Sequence, residues 1–327
     1  MFRMVFTKVL CRIVFLLWMT ILVSCTTYRT LPIEVMVPAK IVLESGKKVA
    51  LLDRNIGYPD YQKRFINYIP ELNRASVFQE FSNGINYVLT GSNYLDTALL
   101  LQEKGNSFVA DSTLPQPLTP DSIRSLCETF HVDYLISVEL QFYKMENRDS
   151  ELKNNWFIRL YAKDKASPLD SVLLQDKINE VFTGNEEFAY HILDGTWRLG
   201  ANYAERIVPH WEQTERRVYR KGKVLGVGDA CLQANNPEEA YRIWIGAMQL
   251  PGKTAILAAI NLAWLYENNT DFESALSFLL QAQQMVLTVK IDTEEKNYLE
   301  QYIRMIKKRI TDKKLLDQQQ APEKSLN

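Results

Sequence analysis

The chain has 327 residues, 46% of them hydrophobic and 24% charged, a composition that argues against a disordered protein and for a buried core. Lys and Arg number 38 against 39 Asp and Glu, for a formal charge of -1, so no excess of positive charge is available to drive general binding of nucleic acid. The length predicts about two domains.

Residues 1–24 read as a signal peptide. Arg3, Lys8 and Arg12 carry its positive charge, and Ile13 to Val23 is an 11-residue apolar run broken only by Thr20. A helix needs about 20 residues to cross a bilayer, so the run suits a secretory signal better than an uncleaved anchor. It ends in Leu22-Val23-Ser24-Cys25, which resembles the lipobox of bacterial lipoproteins. The resemblance implies cleavage before Cys25, a diacylglyceryl group on its thiol and acylation of the new amine. Three chains hold a protein to a membrane persistently where one does not. The expected address is the bacterial cell envelope, with the lipid bilayer as a partner through acylated Cys25. The residues after Cys25 are Thr-Thr-Tyr-Arg-Thr, without the acidic stretch that resembles a surface-export signal in Bacteroidetes-type lipoproteins, so the resemblance implies an anchor facing the periplasm, expected at the outer membrane. Residues 25–47 lack a strong period and are expected to form a tether.

Residues 48–215 read as a mixed α/β domain. Lys48 to Asn55 predicts a buried strand, and Val77, Phe78, Phe81, Ile85 and Val88-Leu89 fall at helical spacing within 76–89. Thr119-Pro120-Asp121 supplies an N-cap, a first-turn proline and an acid before Ile123, Leu126, Cys127 and Phe130, which predicts a helix there. Tyr134 to Leu140 predicts a central strand, and 156–161 with 170–177 a hairpin with a longer loop. Glu186 to Ile207 carries Phe188, Ile192, Gly195, Leu199 and Tyr203 at three- and four-residue steps, a helix that Pro209 ends. The element order loosely resembles the N-terminal domain of TolB and the curli-secretion lipoprotein. The fold class is therefore α+β: a sheet domain followed by an all-α domain.

Residues 216–312 carry the all-α signal. Ala240, Trp244 and Ala247 return 35 residues later as Ala275, Leu279 and Ala282, each set after an Asn-rich turn. These positions, with Leu262-Ala263 and Tyr266, resemble tetratricopeptide repeats. The resemblance implies a concave face presenting Ile260, Asn261, Trp264 and Glu267 to a partner, unless Trp264 instead packs inside the protein. Residues 313–327 are expected to be a disordered tail. Lipobox, α/β domain and short repeat array together resemble a family of uncharacterised Bacteroidetes lipoproteins.

Few residues point to chemistry. His131, His191 and His210 are dispersed, and no phosphate-binding, nucleophile-elbow or metal motif occurs. No cofactor is expected. Cys127 and Cys231 read as small buried hydrophobes, with a disulfide between them as the other reading. Arg216, Arg217, Arg220, Lys221 and Lys223 form a basic cluster, read as a solvated helix end or as a surface for anionic lipid or glycan. The expected function is a membrane-anchored interaction scaffold with an envelope protein partner; the alternative is an envelope hydrolase or glycan-modifying enzyme whose site is assembled from distant residues.

Overall fold

The computed structural model describes residues 27–54, 72, 74–96, 99–102, 116–146, 151–178 and 185–320. Cys25 and the whole signal segment lie outside them. The chain divides into two units, one of residues up to Val35 with Glu212–Lys314 and the other of Met36–Trp211 with residues from Leu315 onward.

The second unit is built on a five-stranded sheet in the order β3-β2-β4-β5-β6, with β2 at Val49–Asp53, β3 at Leu99–Gln102, β4 at Tyr134–Glu146, β5 at Glu151–Ala162 and β6 at Asp170–Ile178. β2 runs parallel to β3 and β4, while β4-β5 and β5-β6 are antiparallel. All five residues of β2 are buried, as a central parallel strand covered on both faces requires. Helices α1 (Arg74–Ser92) and α3 (Asn185–Ile207) cover one face. There Phe81, Ile85 and Leu89 meet Ile192, Leu199 and Tyr203 over Ile136, Trp156 and Ile158, and the Phe81 ring stacks on Trp156 at 4.3 Å. Helix α2 (Pro120–Phe130) covers part of the other face through Ile123 and Cys127, against Ala50, Leu52 and Leu135. Its N-cap is Thr119, whose side chain accepts from the Ser122 amide, and His131 in the left-handed region closes it.

The helical unit holds α4 (Lys223–Gln233), α5 (Pro237–Ala247), α6 (Lys253–Asn268), α7 (Phe272–Val286) and most of α8 (Thr293–Gln320). Asn236 and Asp271 cap α5 and α7 with their side chains. Ala240, Ala247, Ala263, Ala275 and Ala282 are all buried at helix contacts. Gly228 of α4 has Trp244 over it: a Cβ there would lie 2.2 Å from the indole nitrogen.

Three expectations need correction. The tether of 25–47 contains a strand, β1 at Tyr28–Val37, paired with β7 at His210–Tyr219 in a two-stranded sheet. The tail of 313–327 does not begin at 313, because α8 continues to Gln320. Its Gln319 amide accepts from the Ala39 N–H at 3.1 Å and donates to the Ala39 carbonyl at 3.0 Å. And the basic cluster is a helix end only at Lys223, the first residue of α4: Arg216 and Arg217 are on β7.

The α1–α3 contact is made backbone to backbone. A Cβ on Gly84 would sit 2.0 Å from the Trp197 carbonyl oxygen, and one on Gly200 2.1 Å from that of Phe81. Neither obstacle is a side chain that can swing aside, so Gly84→Ala should separate the helices and cost roughly 1–3 kcal/mol or more. Gly91 has open space where its Cβ would go, and Gly91→Ala should raise stability by up to about 1 kcal/mol. Thermal melts of the two variants should move in opposite directions.

Candidate functional site

The four residues assigned to a concave face, Ile260, Asn261, Trp264 and Glu267, do share one side of α6, and all four are buried. They are not an open partner groove. Strand β7 and helix α8 lie against them. Asn261 accepts from the Tyr219 N–H at 2.7 Å and donates to the Tyr219 carbonyl at 2.8 Å, so one side-chain amide occupies both polar groups of a backbone residue. Glu267 accepts from Arg216 twice, Nε to Oε2 at 2.8 Å and Nη2 to Oε1 at 2.7 Å, and from the Tyr302 hydroxyl at 2.7 Å. Arg216 donates further to Thr214 and the Glu215 carbonyl.

The electrostatics follow from that geometry. Burial alone would lower the Arg216 guanidinium; the Glu267 hydrogen bond and charge outweigh it, and its pKa is raised. Burial, then the Glu267 charge, push the Tyr302 phenol well above its ordinary range. Burial also pushes Tyr298, which accepts from the Arg217 N–H at 2.8 Å, up to about 12.

A second buried ionic group stands on the sheet. A register shift between Val138 and Leu140 marks a β-bulge, a device that re-aims a side chain, and here it accompanies the fully buried Glu139. Glu139 pairs with Arg159 and with Arg54 at 3.0 Å, and accepts from the Tyr161 hydroxyl at 2.7 Å. Three charge-assisted or hydroxyl donors on one carboxylate tie β4 to β5 and to Arg54 after β2.

Cys127 and Cys231 are both free. Burial pushes the Cys127 thiol up to about 11, which keeps it protonated and a poor nucleophile. His191 packs its ring edge-on to Tyr190, and His210 donates from Nδ1 to the Val208 carbonyl at 3.2 Å. Among the described residues no group of three or more His, Cys, Asp or Glu could hold a metal ion, and no helix is long and apolar enough to cross a membrane.

A cleft of about 680 Å³ with open side chains lies in the second unit, beside the C-terminal end of α1 and Glu205 of α3. Asn86, Tyr87, Val88 and Thr90 to Ser92 line one wall, and Met36, Glu205, Pro209, His210 and Trp211 the rest. Tyr87 is 68% exposed and Trp211 61% exposed. Tyr87 is held against Trp197 at 5.3 Å, and Glu205 Oε2 lies 4.0 Å from His210 Nε2. The sequence reading missed this cleft. A usable signal was there: Tyr87 falls off the apolar stripe of its helix, an aromatic ring where a polar residue was due.

Two outcomes test the buried clamp. Glu267→Gln leaves Arg216 buried without its counter-charge and should destabilise the protein by about 3–5 kcal/mol, whereas Arg216→Met with Glu267→Leu should recover most of that loss; denaturant titrations of the three proteins check it. Alkali should also unfold the protein. The unfolded tyrosines ionise near pH 10 while folded Tyr298 holds its proton to about 12, so the stability it contributes is complete below pH ~10 and is lost as pH rises toward 12. The melting temperature should fall over that window, and less steeply in Tyr298→Phe.

Two families of unknown function account for most of the chain. Residues 227–308 match the domain of unknown function DUF6340. Among curated proteins none matches the chain. Of solved structures, the PelC dodecamer from Paraburkholderia phytofirmans is 11% identical over 55% of this chain and 99% of that one, with a TM-score of 0.29. The hypothetical protein CT253 from Chlamydia trachomatis is 13% identical over 40% of this chain and 73% of that one, with a TM-score of 0.26. Scores this low carry no argument about fold or function. Residues 47–219, more than half of the chain, match the domain of unknown function DUF8603, and the protein belongs to that family.

Proposed function

We propose that this protein is a lipoprotein of the bacterial envelope, held by acylated Cys25 to the outer membrane on its periplasmic side, and that it acts as an interaction scaffold for an envelope protein. The observation that carries the reading is the pair of exposed aromatic side chains, Tyr87 and Trp211, in one cleft of about 680 Å³. Single exposed apolar residues need no explanation, but grouped ones in a concavity mark a binding surface. Tyrosine and tryptophan are also the residues that most often dominate interface energies. The ring of Tyr87 is packed on Trp197, so little side-chain freedom is left to lose on binding. Asn86, Thr90, Ser92 and Glu205 around the rings supply the polar rim that orients a partner.

The helical unit supports a tetratricopeptide reading through its buried alanines and its repeated helix pairs. Its inner face is already filled by β7 and α8, so the scaffold role passes to the cleft.

Cys25→Ser should abolish acyl labelling, and the unacylated chain of residues 25–327 should be released from membranes washed with 1 M salt. A photo-crosslinking residue in place of Trp211 should give a defined adduct in native envelopes, and one in place of Leu287, 84% exposed on the helical unit, should not. Trp211→Ala and Tyr87→Ala, at unchanged melting temperature, should each cut partner recovery at least about tenfold, a hot-spot loss. Recovery equal to wild type would remove the cleft as the binding surface.

A further inference from the structure

The carbonyl of Thr27 accepts from the backbone N–H of Arg220 at 3.0 Å and of Lys221 at 3.2 Å. This is where the described chain begins, and it ties that beginning to the turn after β7. Cys25 is two residues earlier. Two Cα–Cα steps of 3.80 Å span at most about 7 Å, so an acyl-bearing Cys25 has no tether to lift the protein away from the bilayer.

The turn beside Thr27 is basic. Lys221 and Lys223 are exposed, and Arg220 is half-buried; among the described residues neither lysine has an ion pair. Lys223 opens α4, so the positive end of that helix adds to its charge. The acidic groups nearby are engaged. Asp229 is buried against Arg29 at 2.5 Å, Glu294 pairs with Arg217 at 2.7 Å, and Lys253 holds both Asp292 at 2.6 Å and Glu295 at 2.7 Å. The Asp292 carboxyl is held below its ordinary range by the Lys253 hydrogen bond and charge, with a smaller contribution from Lys221.

We infer that Lys221 and Lys223 form a membrane-docking surface that lies on anionic phospholipid headgroups of the leaflet holding Cys25. The inference rests on the acylation proposed above. The headgroup layer is about 5–7 Å thick on each side of a bilayer, and charges act over a Debye length of about 8–10 Å. Groups bonded to Thr27 fall within that reach.

The test uses full-length acylated protein, purified from membranes and placed in detergent or in phosphatidylcholine vesicles containing phosphatidylglycerol. An amine-reactive ester, read by mass spectrometry, reports each lysine. Lys221 and Lys223 should react at least about fivefold more slowly in these vesicles than in detergent, and 1 M salt should restore much of the rate. In parallel, an unacylated chain of residues 25–327 carrying Cys25→Ser should bind the vesicles through charge alone, and adding Lys221→Gln with Lys223→Gln should weaken that binding about 30-fold, at roughly 1 kcal/mol per lysine. Acyl label on Cys25 with both lysines as reactive in vesicles as in detergent would overturn the headgroup contact and leave the anchor standing. Absence of acyl label would overturn the anchor, and the vesicle assay on the unacylated chain would then decide the headgroup contact by itself.

Discussion

The helical unit is organised around one buried ion pair, Arg216 with Glu267. Taking both charges out of water carries a penalty of several kcal/mol per ion, recovered only when every remaining donor and acceptor is engaged. That condition is largely met: Glu267 receives two bonds from the guanidinium and one from Tyr302, and the guanidinium's Nη1 donates to Thr214 and the Glu215 carbonyl, so four of its five N–H groups are engaged. Three elements distant in sequence, β7, α6 and α8, must therefore meet at one point and at one rotation. Leucines could fill the same volume and be as stable, but they would not specify which residue of β7 sits over which turn of α6.

The same interaction decides what the unit can bind. A face that presents an amide and a carboxylate at successive helical turns is equipped to hold an extended backbone and a basic side chain, and here it holds the chain's own. The proposed binding surface lies instead at the cleft lined by the C-terminal end of α1 and by Glu205 of α3. The α1–α3 glycine contact, with the Phe81 and Trp197 carbonyls nearly touching the opposing helix, fixes how close the two helices come.

Local pattern made much of this fold legible. The capping set at Thr119, the alternation of 156–161 and the matched triads at Ala240 and Ala275 each encode an element within a few residues, and α2, β5 and the α4–α7 pairs stand where those signals placed them. What stayed illegible depends on partners far away. Arg216 looks like its exposed neighbours until Glu267, 51 residues on, is known to face it. β1 carries Pro32 and an incomplete alternation, and β3 has four residues, too few to show a period. Ile260, Asn261, Trp264 and Glu267 lie on one side of α6 but are buried; helical spacing reveals that a face exists but not what covers it. The cleft was missed for the same reason, since Tyr87 and Trp211 are joined by tertiary packing alone.

Asn261 has a consequence beyond the groove. β1 and β7 make a sheet of two strands, and so small a sheet leaves long edges where further strands can add. On β7 the polar groups of alternate residues are consumed by side chains: Tyr298 takes the Arg217 amide, and Asn261 takes both the amide and the carbonyl of Tyr219. An incoming strand would find no ladder to extend there. This side-chain capping guards that stretch of β7 against edge-to-edge pairing with another copy.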